Sequence, residues 1–214
     1  MISEERRERL IDMNYLIYDC ETSGFIQKKL PYDHPDQCRL VQLACILIDE
    51  KFKELSSFYS IVKLPENKTI DDGAFNAHGI STADCGLYGM RIETVLDVFD
   101  SMAAKAGAFI AHNIKFDAEV IAIEYFHRMQ KMPNGRTTYC TMQLMTDVCK
   151  LPNIKMRGTW KWPKLSEAYS YLGNKVVSLP ILNAHDSLSD CRACAEIFKW
   201  LLNNNRIPQL VSQH

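Results

Sequence analysis

Residues 15–24 read YLIYDCETSG, and the pair Asp19 and Glu21 at the end of that apolar run decides how the rest of the chain is read. Alternate side chains of a strand share a face, so a strand over Tyr15–Asp19 sets the two carboxylates side by side. Their repulsion is costly unless a cation neutralises it. The pair therefore reads as half of a metal site, closed by the turn Thr22-Ser23-Gly24. Two distant acidic segments can complete it: AHNIKFD (111–117), which ends in Asp117, and HDSLSD (185–190), which offers His185 and Asp190.

Around this stretch the pattern gives strands first and then helices, with one late strand. Ser3 caps a short helix over 4–12, ahead of the strand at Tyr15–Asp19. A polar loop with two prolines fills 25–37. Arg39–Asp49 and Leu55–Leu64 then read as an antiparallel meander joined at Glu50-Lys51. Helices follow at 70–78 and, with 3.6-residue apolar spacing, at Ile92–Ala106. Ala108–Ala111 is a short strand, Ala118–Met129 a helix, and Pro133 with Asn134-Gly135 breaks the chain. Helical patterns return at 141–149, 164–172 and 188–203. The result is an α/β layered domain without internal repeats.

With 214 residues, 47% of them hydrophobic, the chain fits one domain over 1–214. A formal charge of −1 excludes a uniformly basic surface, so any nucleic-acid contact must be a local patch. The eight cysteines lack the spacing of a disulfide framework and read as reduced. The charged start SEERRERL is no signal core, and no run approaches the ~18 apolar residues of a membrane span. A soluble cytoplasmic protein without a membrane partner is expected.

Hydrolysis of a phosphodiester needs an activated water, charge neutralisation at phosphorus and a stabilised leaving oxygen. Two Mg²⁺ or Mn²⁺ ions roughly 3.5–4 Å apart supply all three. Such hard cations take oxygen ligands, and a strand end, a helix start and a late helix can converge to provide them. His185, with an ordinary pKa near ~6.5, can accept a proton from the attacking water at neutral pH.

Taken together, DCETSG (19–24), AHNIKFD (111–117) and HDSLSD (185–190) resemble, in order as well as in residues, the three motifs of the DnaQ-like DEDDh 3′-5′ exonucleases, the family of polymerase III epsilon proofreading subunits and RNase T. RLVQLA (39–44), NAHGIS (76–81) and KWPKLSEAYSYLG (161–173) resemble supporting stretches of that family, which extends the likeness over about residues 14–202. The resemblance implies an RNase H-like fold with a mixed five-stranded sheet flanked by helices. It further implies that Asp19, Glu21, Asp117 and Asp190 hold two Mg²⁺ or Mn²⁺ ions, with His185 as general base. Thr22 and Ser23 would sit near the terminal nucleotide. The expected reaction releases 5′-mononucleotides from single-stranded 3′ ends, with DNA ranked ahead of RNA and a polymerase or other processing partner conceivable. The alternatives are an exoribonuclease trimming short RNA and a catalytically silent nucleic-acid-binding protein. The oligomeric state is left open.

Two features depart from the family pattern: Ser187 stands where alanine is usual, and the loop from Phe25 to Cys38 is long. Other chemistry-bearing residues have plainer readings. Asp147 and Asp186 are decoys, the latter suited to a helix N-terminus. His112 and Asn113 read as structural, with Asn113 expected to cap orphan N–H groups. His78 reads as a turn residue and His34 as a solvated one. Cys191 and Cys194 fit two small residues facing the core better than a zinc site. The stretch 150–164 has five basic residues, no acidic one, and Trp160 and Trp162. It reads either as a single-strand track, with Arg157 and Trp160 binding substrate, or as a solvated loop whose tryptophans pack inward.

Overall fold

Five strands form one mixed sheet in the order β3-β2-β1-β4-β5. They are β1 (Tyr15–Thr22), β2 (Leu40–Ile48), β3 (Glu54–Ile61), β4 (Ala108–Ala111) and β5 (Thr137–Cys140). The computed structural model describes residues 13–130, 136–173 and 186–207. The expected helix at 4–12, the breakers at 133–135 and His185 lie outside the described residues. The seven helices among the described residues are α1 (Asp72–His78), α2 (Thr82–Tyr88), α3 (Ile92–Ala103), α4 (Ile114–His127), α5 (Thr141–Cys149), α6 (Leu165–Gly173) and α7 (Ser187–Asn203).

β1, β2 and β3 form the expected antiparallel meander, whereas β4 runs parallel to β1 and β5 parallel to β4. Apolar side chains alternate across β1 and fill two cores. Tyr15 and Ile17 face one side, with Ala168 and Leu172 of α6 and Ile197, Phe198 and Leu201 of α7. Leu16, Tyr18 and Cys20 face the other, with Leu96 and Phe99 of α3 and Val120, Ile121 and Tyr125 of α4. β2 is buried along its whole length, as a strand covered on both faces must be. No helix among the described residues is long and apolar enough to cross a membrane.

Two boundaries near the acidic residues, and one added helix, differ from the reading of the sequence. β1 continues past Asp19 to Thr22 because β2 keeps pairing with it, Glu21 opposite Gln42 and, beyond a bulge, Thr22 opposite Leu40. α4 begins at Ile114 rather than Ala118, since Asn113 takes a left-handed turn (φ 81°) that starts the helix early. α2 was not expected; Ser81 and Asp84 form a reciprocal capping box that nucleates its seven residues. The fifth strand, β5 (TTYC), is as short as β4 but, unlike the apolar AFIA of β4, is mostly polar with only Tyr139 buried, so its expectation rested on the resemblance alone.

One buried ion pair fastens α4 to the sheet. Glu124, 1% exposed, accepts from Arg39 Nε (2.9 Å) and Nη2 (2.6 Å) and from the backbone N–H of Leu40 (2.8 Å). The start of β2 and the helix that carries Asp117 are thereby held together.

Candidate active site

On β1 the line Tyr15, Ile17, Asp19, Glu21 runs along the face covered by α7. The apolar pair ends where the sheet's core ends, and the acidic pair continues past it. Asp190 lies in the first turn of α7, its N–H donating to Asp186 O (2.9 Å).

Asp117 reaches the same place from the opposite face. β4 has only four residues, and its pairing with β1 stops at Ile17–Ile110. The next part of β1 therefore has an unpaired edge, and Asp117, in the first turn of α4, fills it: its Oδ1 accepts the Cys20 N–H at 3.0 Å.

The four carboxylates share one electrostatic neighbourhood. Burial raises the Asp19 carboxyl well above its usual range, and Asp117, Glu21 and Asp190 each raise it further. Burial and then Asp190 push Glu21 up to about 7. Burial likewise raises Asp117, against the lowering pull of the Cys20 N–H. No group among the described residues lowers Asp19. Among the described residues no three His, Cys, Asp or Glu side chains are arranged as they stand to hold an ion, so the cluster is an unclosed set of like charges. Its all-oxygen donors and mutual repulsion fit a hard divalent cation such as Mg²⁺ or Mn²⁺.

Neighbouring groups hold this end of the sheet. The turn after Glu21 is tied down by Ser23, whose Oγ accepts from Arg39 N–H (2.9 Å), and by His78, whose Nε2–H donates to Thr22 O (3.2 Å). The Asp71 carboxylate lies against Gly24, where a Cβ would have to displace it. His112 is structural, as expected: burial lowers its pKa, and the neutral ring bridges Thr141 Oγ1 and Pro163 O, both at 3.0 Å. Asn113 departs from expectation, because its side chain makes no capping bond; its contribution is the left-handed backbone, which asparagine tolerates.

Ser187, the departure from the family pattern, is fully buried and donates to Gln42 Oε1. Gln42 in turn donates to Tyr59 Oη (2.8 Å) and stands opposite Glu21 in the β1–β2 register. The extra hydroxyl thus ties the first turn of α7 to the strand beside Glu21, a link visible in sequence only as Ser for Ala. Asp186 is the N-cap residue of α7, and Asp147 is exposed on α5. All eight cysteines are free thiols, and Cys191 and Cys194 are buried against the core, Cys191 pointing at Ala44 O.

The long loop at 25–38 is built around buried Gln37, whose amide bonds Gln27 through both its ends and reaches Leu30 O and Pro31 O. Within it His34 is half-buried, its Nδ1 accepting from Asp36 N–H. Phe25, next to the Ser23-Gly24 turn, is 84% exposed. The sequence reading passed over it; an aromatic residue directly after the acidic motif was the available signal. The tryptophans of 150–164 do not pack inward: Trp160 is 44% and Trp162 63% exposed, and Arg157 is exposed beside them.

This mixed sheet, flanked by helices and with carboxylates gathered at the ends of β1, α4 and α7, has the RNase H-like exonuclease fold. The exonuclease family model of the RNase T type matches residues 16–198, and the chain belongs to that family. A search of curated protein sequences finds no match. Among solved structures, E. coli exonuclease I in complex with a dT13 oligonucleotide aligns with a TM-score of 0.70 at 18% identity, over 88% of this chain and 40% of that one. The zinc-bound form of the E. coli enzyme with single-stranded DNA gives 0.68 at 20% identity, over 90% and 41%. Cell-death related nuclease 4 (CRN-4) gives 0.65 at 20%, over 89% and 64%. The chain thus spans about two fifths of exonuclease I. At these identities the likeness establishes the fold.

Proposed function

We propose that this protein is a metal-dependent 3′-5′ exonuclease that releases 5′-mononucleotides from single-stranded DNA. The observation that carries the reading is the convergence of Asp19, Glu21, Asp117 and Asp190, from three remote segments, on one end of the sheet, where burial and their mutual charges raise the proton affinities of Asp19, Glu21 and Asp117. A folded chain bears the cost of such crowding when a cation repays it.

Asp19, Glu21 and Asp190 would hold one Mg²⁺ or Mn²⁺ and Asp19 with Asp117 a second, and the ions when bound would supply charge neutralisation at phosphorus and a more acidic water. The remaining steps fall to the chain's own side chains. His185, two residues ahead of α7, would take the proton of the attacking water and return it to solvent. Thr22 and Ser23, fixed by His78 and Arg39, would position the terminal nucleotide. Exposed Phe25, Trp160 and Trp162 offer faces on which unpaired bases stack, and Arg157 offers a charge for the backbone. The exonuclease I complexes with single-stranded oligonucleotides support DNA as the strand.

The test is incubation of the purified chain with 5′-labelled single-stranded DNA and with RNA of the same sequence, in Mn²⁺ and in EDTA. A ladder shortening from the 3′ end of DNA in Mn²⁺ alone is expected. Shortening of RNA only would assign the exoribonuclease alternative, and binding without cleavage the silent one.

A further inference from the structure

Residues 151–161 form a finger whose two arms are hydrogen-bonded to each other. Pro152 and Trp160 pair as an antiparallel bridge, Asn153 N–H donates to Thr159 O (3.1 Å), and Lys161 N–H donates to Leu151 O (2.9 Å). Side chains lock the tip as well. Asn153 Oδ1 accepts from the N–H groups of Lys155 (3.1 Å) and Met156 (3.2 Å), and Thr159 Oγ1 donates to Met156 O (2.8 Å). Gly158 supplies the left-handed residue such a turn needs (φ 84°).

The rigid turn holds apolar side chains in water. Ile154 is 96% and Met156 63% exposed, alternating with Lys155 and Arg157. Exposed apolar groups on a preorganised turn mark a contact surface. Charge selects the kind of partner: 150–164 contains no acidic residue, and among the described residues only Lys161 of its five cations has an ion pair, with Glu167 at 2.6 Å. Position selects further. Pro163, three residues after Trp160, is held by His112, which links β4 to the helix that carries Asp117. The C-terminal arm of the finger is thereby tied to the β4–α4 junction, and α4 is the helix that carries Asp117.

We propose that the tip is a wedge for duplex ends: Ile154 and Met156 insert at the terminal base pair, Lys155 and Arg157 hold the flanking phosphates, and the freed 3′ strand passes to the site. Apolar side chains inserted between base steps unstack them in this way, and backbone contacts offset the cost. The proposal rests on the exonuclease reading and adds double-stranded 3′ ends to its substrates.

The experiment uses the double variant I154S/M156S and a blunt DNA duplex with 2-aminopurine in its 3′-terminal pair. In EDTA, without cleavage, binding of the wild type is expected to raise the fluorescence, and the variant is expected to bind without that rise. In Mn²⁺ the variant should degrade the blunt duplex slower by about tenfold or more, while its rate on single-stranded DNA stays within about twofold. Both side chains are solvent-exposed, so the variant's thermal unfolding should match the wild type. No fluorescence rise with wild type, or the same rise with the variant, overturns the wedge; the latter is also what a protein-docking tip would give. Wild type that opens the duplex but cleaves neither substrate overturns the exonuclease reading and leaves the wedge standing.

Discussion

Replacing Glu21 with glutamine removes one of the charges that the metal-free site has to tolerate. Burial and then Asp190 raise the Glu21 carboxyl from 4.5 to about 7. The folded protein therefore holds this proton more tightly than the unfolded chain does. Its penalty is absent below about 4.5, grows as pH rises, and is complete above about 7, so stability falls with rising pH across that window. At roughly 1.4 kcal/mol per tenfold change in proton affinity, the full penalty is about 3 kcal/mol. Glutamine keeps the shape and drops the charge. In EDTA at pH 8 (E21Q) should be the more stable protein by about 2–3 kcal/mol, and the two should be equal near pH 4. Saturating Mn²⁺ should reverse the order at pH 8, because the wild type gains the ion's binding energy and the variant less of it. Urea unfolding followed by tryptophan fluorescence, at both pH values with and without Mn²⁺, reads all three comparisons. A variant no more stable than wild type in EDTA at pH 8 would refute the crowding on which the site is argued.

Three further outcomes are expected. Glu124→Ala leaves Arg39 and the Leu40 N–H without their buried acceptor and should destabilise the fold by about 3–5 kcal/mol in thermal or urea unfolding; a loss below ~1 kcal/mol would mean that the pair does not anchor α4. His185→Ala should slow turnover by ~10²–10⁴ with Mn²⁺ uptake unchanged, and a loss under about threefold would remove it from the role of base. Trp160→Ala should weaken binding of a single-stranded oligonucleotide by about 1–3 kcal/mol in fluorescence anisotropy, with unfolding unaffected, and unchanged affinity would return the finger's base to a purely structural role.

What could be read in the sequence followed from period and composition. YLIYDCETSG gave its strand and the shared face of Asp19 and Glu21 because alternation is local. Asp117 was placed at a helix start for the same reason, although the bond that fixes it, to Cys20 N–H, depends on how short β4 is relative to β1 and so on tertiary pairing. β5 escaped because TTYC is not the apolar run that marks the equally short β4, and α2 because its signal is a capping box rather than an apolar stripe. The exposure of Trp160 and Trp162 was undecidable between two readings, since an indole beside a proline suits a core as well as a surface. The Ser187–Gln42–Tyr59 chain links residues up to 145 positions apart, and no local pattern announces it.

The central claim is that remote carboxylates together hold divalent ions. Titration of Mn²⁺ into the wild type and into Asp19→Ala, read by the loss of the free-ion paramagnetic resonance signal, tests it most directly. The account predicts two ions taken up per wild-type chain, with uptake lost or sharply weakened in the variant. Absence of uptake by the wild type, or identical uptake by both proteins, would contradict it.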